Sequence, residues 1–280
     1  MQGKTIVITG ATSGIGEVAA LQLAQQGARI VAIARDRDRG EETLRRLRGA
    51  APAQDHIVHY ADLSRLSEMK RVSTLIAERE QRIDVLINNA GALFTKRELT
   101  EDGLERTFAT NHMAYFVVTN QLSHRLRATR DARVVCTASD AHKGAKLDFG
   151  DLQSERGFSA FAMYGRSKLM NILFTRELAR RLASTGVTAN CLHPGFVATR
   201  FGDAGSGLMA QVIRVAKKFA LTPQEGAQTI IYLASSPEVA AVSGQYFYKS
   251  KPAVPTQAAQ NDADARRLWE VSAKLSGVGT

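Results

Sequence analysis

Tyr164 and Lys168 have the residue types and the spacing that suit proton transfer to a carbonyl oxygen. They lie four residues apart at the start of a predicted helix, so both side chains occupy one helix face. A tyrosine hydroxyl can donate a proton, although its unperturbed pKa is about 10, and a nearby ammonium is expected to lower that pKa. Because such pairs also arise by chance on helix surfaces, the pair needs support from other residues.

Ser139 and Asn111 are the candidates for the remaining polar roles. Ser139 follows the fifth predicted strand, where its hydroxyl can hydrogen-bond a carbonyl oxygen, although a serine at that place also suits a turn. Asn111 lies near a helix centre or break, where it can hold a water that links Lys168 to solvent. Together the four residues predict a site that orients a carbonyl and supplies a proton to its oxygen.

Three histidines and two cysteines offer rival chemistry, and we assign them structural roles. His112, His142 and His193 could do acid–base work, but no spacing pairs them as metal ligands. Cys136 and Cys191 lie in apolar, strand-like runs and are predicted to be buried free thiols. We therefore predict no metal site and no redox role for the thiols.

A glycine-rich segment near the N-terminus predicts a dinucleotide site. The run Gly10-Ala11-Thr12-Ser13-Gly14-Ile15-Gly16 follows the first predicted strand and opens the first helix. Glycines allow a tight turn and a close approach of the backbone to a pyrophosphate, and the helix start offers amide groups to the phosphates. A bare turn is the alternative, but strand, loop, helix and second strand follow in the order that such a site requires. No Gly-Lys-Ser/Thr follows, which excludes a P-loop.

The residues after the second strand bear on the choice between NADP(H) and NAD(H). NAD-preferring sites place a carboxylate at the strand tip, whereas here Ala34 is followed by Arg35. A guanidinium suits a ribose 2′-phosphate, so NADP(H) is the predicted cofactor. Asp36 keeps NAD(H) open, because a shift of one residue would make its carboxylate the partner of the 2′-hydroxyl. An exposed charge at a helix start is the plain alternative for Arg35.

Two further strand ends carry residues suited to the cofactor. Asp62-Leu63-Ser64 closes the third strand, where a carboxylate and backbone groups can meet an adenine edge, or where Asp62 can simply cap a turn. Asn88-Asn89-Ala90-Gly91 ends the fourth strand, and its small residues permit close approach of a ligand, although a plain turn is again the alternative. The residues placed in the predicted cofactor site from these two segments are Asp62, Leu63, Asn89, Ala90 and Gly91.

Strands and helices alternate along the chain, which predicts the sheet that positions these residues. Short runs rich in Val and Ile are separated by longer helical stretches such as 14–26 and 165–183. This order predicts an α/β fold: a single-domain Rossmann fold over residues 1–280, with a doubly wound, seven-stranded parallel sheet and helices on both faces. The predicted strands are Lys4–Thr9, Arg29–Ala34, His56–Ala61, Ile83–Ile87, Arg133–Ala138, Val187–Leu192 and Gln245–Tyr248.

Two C-terminal segments interrupt the alternation. The segment at about 196–221 is apolar with added Arg and Lys, and it predicts a lid over a substrate pocket. An ordinary packing helix and an amphipathic helix on a membrane surface are the alternatives. The tail 253–280 begins as a loop and ends in a predicted helix, in which Trp269 is interpreted as a packing anchor rather than a ligand contact.

The net charge of +10 over 280 residues bears on partners and location. The basic residues are mostly scattered arginines interleaved with Asp and Glu, so we predict a solvated basic surface and no nucleic-acid partner. No apolar run is long enough to span a bilayer, and the first ten residues do not have the pattern of a signal peptide. We therefore expect a cytoplasmic protein, with peripheral contact to an anionic membrane surface left open.

These motifs resemble the short-chain dehydrogenase/reductase family over essentially the whole chain. The matching pieces include Thr9–Gly16, Asn88–Gly91 and Tyr164-Gly165-Arg166-Ser167-Lys168. The resemblance implies that helices around 111–127 and 165–183 pair in a homodimer, and that Lys168 also hydrogen-bonds the nicotinamide ribose. The implied catalytic tetrad is Asn111, Ser139, Tyr164 and Lys168. The residues implied to lie along the nicotinamide are Pro194, Gly195, Val197 and Thr199.

A narrower resemblance is to the retinol dehydrogenase branch and its WW-domain oxidoreductase relatives. It is carried by runs such as Ser139-Asp140-Ala141-His142-Lys143-Gly144 and Leu268-Trp269-Glu270. That branch implies NADP(H) and a lipophilic alcohol or aldehyde as substrate, which agrees with Arg35. Many of its members carry an N-terminal membrane anchor, which is not expected here, and Ala138 stands where a second serine is frequent. A non-catalytic nucleotide sensor or scaffold on the same fold and an NAD-linked alcohol dehydrogenase are the alternative functions.

Overall fold

Short β-branched runs form the strands of one sheet in the computed structural model, which describes residues 1–196 and 221–279. The sheet order is β3-β2-β1-β4-β5-β6-β7-β8, and every pair is parallel except the last. The chain reverses its direction of winding between β1 and β4, which is where ligands bind in open α/β sheets. The strands are β1 (Thr5–Thr9), β2 (Arg29–Ala34), β3 (Ile57–Tyr60), β4 (Val85–Asn88), β5 (Arg133–Thr137), β6 (Thr188–His193), β7 (Tyr246–Tyr248) and β8 (Lys251–Ala253).

The eighth strand corrects the predicted count of seven and the prediction that the sheet is entirely parallel. β8 pairs antiparallel with β7 through a two-residue turn, Lys249-Ser250, in which both residues have positive φ. Such a turn matches the twist of a hairpin, and Asn or Gly is its usual sequence signal. Lys-Ser carries no such signal, and Pro252 suits only an edge strand. The edge strand therefore ends at Ala253, the first residue of the predicted loop-like tail.

Helices cover both faces of the sheet, as the alternation predicts. One apolar cluster is built from Ile6, Ile8 and Leu23 with their neighbours, and the other from Val7, Phe116 and Leu173 with theirs. Residues adjacent along β1 thus point into different clusters, as the strand period of two requires. Among the described residues, the α-helices longer than one turn are α1 (Gly14–Gln25), α2 (Arg37–Ala50), α3 (Leu66–Arg79), α4 (Ala114–Ala128), α5 (Ala160–Arg181), α6 (Pro223–Ser235) and α7 (Asp262–Ser276).

Trp269 packs the C-terminal helix α7 against α4 and α5. Its ring stacks on Phe174 at 5.8 Å and meets Phe116 edge-on at 4.9 Å, while its indole N–H donates to the carbonyl of Gly279 at 2.9 Å. The interpretation of Trp269 as a packing anchor is confirmed. α7 thereby lies on the two helices through which homodimerisation is predicted, and the homodimer itself stays a prediction.

The structure also bears on the cysteines, on membrane-spanning helices and on the predicted lid. Cys136 and Cys191 are buried free thiols on the neighbouring strands β5 and β6, as predicted. No helix among residues 1–196 and 221–279 has the length and apolar character to cross a membrane. The predicted lid at about 196–221 lies outside the described residues except at its ends, and so do Val197 and Thr199.

Candidate active site

The glycine-rich loop after β1 packs directly on the segment after β4. Thr9 Oγ1 accepts hydrogen bonds from the backbone amides of Asn89 at 2.9 Å and Ala90 at 3.0 Å. The Asn89 side-chain amide donates back to the carbonyls of Thr9 and Gly10, at 3.3 and 3.2 Å. Gly10 has φ +70°, and a Cβ there would lie 2.9 Å from Ala90 Cα. The glycine is required by this close approach, and it brings two predicted cofactor segments together.

The start of α1 is suited to an anion. The first amides of any helix lack partners within the helix, and the Ser13 side chain makes no capping hydrogen bond to them. By contrast, Asp36 caps α2 and Ser159 caps α5. Thr12, Ser13, Gly14 and Ile15 lie at the surface or half-buried, while Gly16 is buried against the loop. These residues therefore fit the pyrophosphate of a dinucleotide, which would take the hydrogen bonds of the α1 amides.

At the end of β2, Arg35 and Asp36, the two candidates for contact with the adenosine ribose, have different surroundings. The Asp36 carboxylate accepts from the Arg39 amide at 3.0 Å and lies 3.5 Å from the Arg39 guanidinium. The Arg39 amide bond holds the pKa of Asp36 below its usual value, with burial opposing it and the charges of Arg39 and Arg35 adding to it. Arg35 is exposed beside it. Asp36 thus caps α2, and Arg35 is the group at the strand tip that can meet a phosphate.

Asp62 caps the turn that follows β3. Its Oδ1 accepts from the Ser64 amide at 3.0 Å and from the Ser64 hydroxyl at 2.8 Å. Burial opposes the charged form, but these bonds and the charges of Arg35 and Arg65 hold the pKa of Asp62 below its ordinary value. Leu63 is buried. The turn-capping alternative for Asp62 is therefore correct, and contact of Asp62 and Leu63 with an adenine edge stays a prediction.

The hydroxyl predicted to orient the carbonyl and the hydroxyl predicted to donate the proton meet at the carboxyl end of β5. Ser139 has extended backbone and begins a short 3₁₀ turn, Asp140–His142, whose Ala141 amide donates to Ser139 Oγ at 3.2 Å. Tyr164 lies in the second turn of α5, and its side chain comes close enough to that of Ser139 for the serine to lower the pKa of the phenol. The sheet and α5 thus bring together hydroxyls that are 25 positions apart in the sequence.

Lys168 lies one helical turn after Tyr164, with its ammonium inside the protein. Its Nζ donates to the carbonyl of Thr137 at 3.2 Å and lies 5.5 Å from the centre of the Tyr164 ring. A Cβ at Gly91 would come within 3.2 Å of the same Nζ. The predicted catalytic lysine is therefore placed between β5 and the segment after β4, next to the predicted cofactor site.

The pKa of Tyr164 is raised, whereas the sequence predicted that it is lowered. Burial raises the pKa of Tyr164 to about 12, and the nearby Ser139 side chain only partly offsets this. Burial also lowers the pKa of Lys168 to about 8. The prediction that Lys168 brings the pKa of Tyr164 below 10 is wrong. Desolvation of the phenolate dominates the pKa of Tyr164, and the Lys168 ammonium is directed at the Thr137 carbonyl.

Asn111 lies in a π-helical turn, Ala109–Met113, directly before α4. Its side chain pairs with the backbone of Ala92: the amide donates to the carbonyl at 2.9 Å, and Oδ1 accepts from the N–H at 2.8 Å. Its second amide proton goes to Ser167 Oγ at 3.0 Å, and that hydroxyl donates to the carbonyl of Tyr164 at 2.7 Å. Both amide protons are thus taken by the protein, so the predicted water link must use an acceptor of Asn111.

Three residues that support the site carried no clear sequence signal. Thr137 accepts at its carbonyl from Lys168, and Ser167 connects Asn111 to the Tyr164 backbone. His193 accepts from the Gly195 amide at 3.1 Å, which holds the Pro194-Gly195 turn at φ +87° for Gly195. A strand-end threonine, a serine inside a helix and a histidine before proline are each common outside active sites. Their roles follow from partners that lie far away in the sequence.

The three rival histidines, His112, His142 and His193, are buried, which disfavours their charged forms. His112 is fully buried against Ser272 Oγ at 2.9 Å, and its desolvation lowers its pKa to about 3. His142 and His193 are also buried, and burial holds the pKa of each below the usual value. Among the described residues, no group of three or more His, Cys, Asp or Glu side chains is placed to hold a metal ion.

Comparison with known proteins gives one consistent family. A model of the family described as short chain dehydrogenase matches residues 4–206. Retinol dehydrogenase 14 of Mus musculus is 42% identical over 291 residues, covering 99% of this chain and 87% of that protein. An uncharacterised protein of Mycobacterium paratuberculosis has a TM-score of 0.79 at 31% identity, over 99% of this chain and 94% of that chain. A short chain dehydrogenase of Burkholderia cenocepacia, solved in complex with NADP, has a TM-score of 0.71 at 25% identity, over 88% and 96%.

Proposed function

The chain belongs to the short-chain dehydrogenase family, and we propose that it interconverts an alcohol and its aldehyde or ketone with NADP(H). The observation that carries the proposal is that the side chains of Ser139 and Tyr164 come together, with the Lys168 ammonium 5.5 Å from the Tyr164 ring. A proton donor, a carbonyl-orienting hydroxyl and a cation beside the predicted nicotinamide pocket are the groups that carbonyl reduction needs.

The proposed reaction divides its work among these three side chains. When bound, the cofactor supplies hydride to the carbonyl carbon, or accepts it in the reverse direction. Ser139 hydrogen-bonds the carbonyl oxygen and holds it beside the Tyr164 hydroxyl. Tyr164 gives its proton to that oxygen as negative charge develops there, and the Lys168 ammonium stabilises the phenolate that remains.

The raised pKa of Tyr164 suits the reductive direction. With a pKa of about 12 the phenol stays protonated at neutral pH, and an alkoxide is a stronger base than a phenolate. Proton transfer to the substrate oxygen therefore runs downhill. In the oxidative direction Tyr164 must first lose its proton, which the buried site disfavours.

The contacts of Asp36 and the exposure of Arg35, the two charged residues after β2, favour NADP(H) over NAD(H). Asp36 caps α2 with its carboxylate, so its use on a 2′-hydroxyl would compete with the helix start. Arg35 is exposed at the same strand end and can bind a 2′-phosphate with charge-assisted hydrogen bonds. The solved relative from Burkholderia cenocepacia also holds NADP. An NAD-linked alcohol dehydrogenase is the second candidate function.

A lipophilic substrate is favoured by an exposed aromatic next to the site. Phe161 is 58% exposed and lies one helical turn before Tyr164 on α5, so both residues share a helix face. Phe196, after the Pro194-Gly195 turn, is exposed to the same extent. The relatives named retinol dehydrogenase act, by that name, on a lipophilic alcohol. We include a cytoplasmic location and a homodimer in the proposal on the sequence arguments alone.

Calorimetric titration with NADPH and with NADH, followed by an aldehyde panel, tests the proposal. We expect tighter binding of NADPH, and NADPH-dependent reduction of decanal or all-trans-retinal faster than that of acetaldehyde. Preference for NADH would transfer the assignment to the NAD-linked alternative. Binding of NADPH without turnover of any aldehyde or alcohol would support the non-catalytic sensor, and binding of neither cofactor would contradict the proposal as a whole.

A further inference from the structure

His142 is fully buried and connects the predicted catalytic serine to the C-terminal segment. Its Nδ1 lies 2.7 Å from the carbonyl oxygen of Ser139. On the other side of the ring, the backbone amide of Thr256 donates to Nε2 at 3.4 Å. Thr256 follows the β7–β8 hairpin by three residues. One imidazole therefore spans two segments more than one hundred positions apart.

The partners of the two ring nitrogens fix the tautomer. A backbone amide can only donate, so Nε2 must be the nitrogen that accepts from Thr256. The proton of the neutral ring is then on Nδ1, from which it is donated to the Ser139 carbonyl. Burial disfavours the charged imidazolium and holds the pKa of His142 below its usual value, against the Ser139 carbonyl and Asp140. A neutral ring with its proton on Nδ1 satisfies both contacts.

The ring is held by packing on its C-terminal side. Tyr246 in β7 meets it edge-on at 5.3 Å, and His193 stacks on the far side of Tyr246 at 5.8 Å. The nearby charges, Asp140 and Lys143, pair with each other at 2.8 Å in an exposed position. The orientation of His142 is therefore set by the buried Tyr246 of β7 and by the half-buried Thr256 after β8.

We propose that His142 is a positioning residue whose Nδ1–H holds the Ser139 backbone for catalysis, while its Nε2 connects the ring to the C-terminal segment at Thr256. This inference rests on the proposed function. The Ser139 carbonyl receives two hydrogen bonds, both from His142, one from its backbone amide at 3.1 Å and one from the ring. Loss of the ring bond leaves only the backbone bond on the Ser139 carbonyl and so loosens the residue whose hydroxyl must meet both Tyr164 and the substrate. The expected loss lies in the catalytic step rather than in cofactor binding, because the glycine-rich loop lies elsewhere.

Two amide variants separate the halves of the link. In His142→Asn the amide nitrogen lies near the position of Nδ1, so the donor to Ser139 is kept and the acceptor for Thr256 is lost. In His142→Gln the longer side chain reaches the position of Nε2, so the acceptor is kept and the donor is lost. We expect His142→Gln to lower kcat about tenfold or more with little change in KM or in the Kd of NADPH, because small misplacements of reacting groups cost that much. His142→Asn should keep kcat within about threefold of wild type.

His56 supplies a matched control. It is also buried and also bridges two backbone groups: its Nδ1 accepts from the Ile30 amide at 3.1 Å and its Nε2 lies 3.2 Å from the Ala51 carbonyl. It lies between β2 and the end of α2, away from Ser139. His56→Gln and His56→Asn should lower the melting temperature and leave kcat unchanged. Equal losses of kcat in both His142 variants, or wild-type kcat in His142→Gln, would overturn the positioning role.

Two measurements test the link without turnover. Long-range ¹H–¹⁵N spectra of histidine-labelled protein should show Nδ1 of His142 protonated and Nε2 unprotonated. Hydrogen exchange at the Thr256 amide should be faster in His142→Asn than in His142→Gln. A ring protonated on Nε2, or equal exchange in the two variants, would overturn the connection to Thr256. If wild-type protein binds NADPH but reduces no aldehyde, the proposed function fails, while these two measurements still decide the link.

Discussion

The Lys168 ammonium donates a hydrogen bond to the carbonyl oxygen of Thr137 at 3.2 Å, so the cation of the predicted site points at the backbone of β5. Lys168 is almost completely buried, and this burial lowers its pKa to about 8. The charge that would stabilise a tyrosinate is therefore present at neutral pH and lost in mildly alkaline solution.

The pH dependence of carbonyl reduction follows from that pKa. Lys168 is charged below about pH 8, whereas Tyr164 keeps its proton up to about pH 12. We expect kcat/KM for aldehyde reduction to be level at neutral pH and to fall as the pH rises through about 8. Steady-state rates across this range measure it. Lys168→Arg is the control, because a guanidinium stays charged and should remove the fall even if activity is lower; the same fall in that variant would exclude Lys168 as its cause.

Arg35→Ala tests whether Arg35 binds the 2′-phosphate of NADPH. Loss of a charge-assisted hydrogen bond to a phosphate should raise the Kd of NADPH about tenfold or more and leave the Kd of NADH nearly unchanged. Calorimetric titration with each cofactor measures both values. Arg48→Ala removes another exposed arginine near the end of α2 and controls for the general effect of charge. Equal losses for both cofactors in Arg35→Ala would mean that Arg35 does not bind the 2′-phosphate.

Asp36→Ala separates capping from cofactor recognition. Because the Asp36 carboxylate accepts from the Arg39 amide at the start of α2, its removal should lower the melting temperature, as loss of a helix cap does. The ratio of the Kd values for NADH and NADPH should stay as in the wild type. Thermal unfolding and the two titrations check this. A large and selective loss of NADH affinity would assign Asp36 to the ribose after all.

Phe161→Ser tests the lipophilic substrate. If the exposed Phe161 ring is covered by substrate, its loss should raise KM for decanal about tenfold, as expected for an apolar contact of that size, and leave KM for acetaldehyde nearly unchanged. Leu99→Ser is a matched control, since Leu99 is 56% exposed in a different segment of the chain, between β4 and α4. The same KM for decanal as in wild type would show that substrate does not cover Phe161.

The sequence predicted the parts of the site that depend on order along the chain. In a doubly wound sheet the carboxyl ends of parallel strands meet at one edge, so Gly10, Asn89 and Ser139 had to approach one another once the strands were recognised. The i, i+4 spacing likewise placed Tyr164 and Lys168 on one face of α5. These expectations needed no knowledge of tertiary contacts.

The features that the sequence did not predict depend on contacts between residues that lie far apart in the sequence. The direction of the Tyr164 pKa follows from burial, which a local pattern does not report. The antiparallel edge strand β8 depends on a Lys249-Ser250 turn without the usual Asn or Gly. The contact of His142 with Thr256 joins segments that no spacing rule connects. In each case a long-range contact decided what the local residues left open.

Tyr164→Phe, compared with wild type for NADPH binding and aldehyde reduction in parallel, tests whether Tyr164 donates the proton. The variant lacks only the hydroxyl that donates the proton, so we expect the Kd of NADPH to stay nearly unchanged and kcat to fall about 10²-fold or more. Tyr232→Phe, which loses a hydroxyl bonded to Glu238 at the protein surface, should retain wild-type kcat. Turnover by Tyr164→Phe within a few-fold of wild type would remove Tyr164 from the reaction and contradict the account.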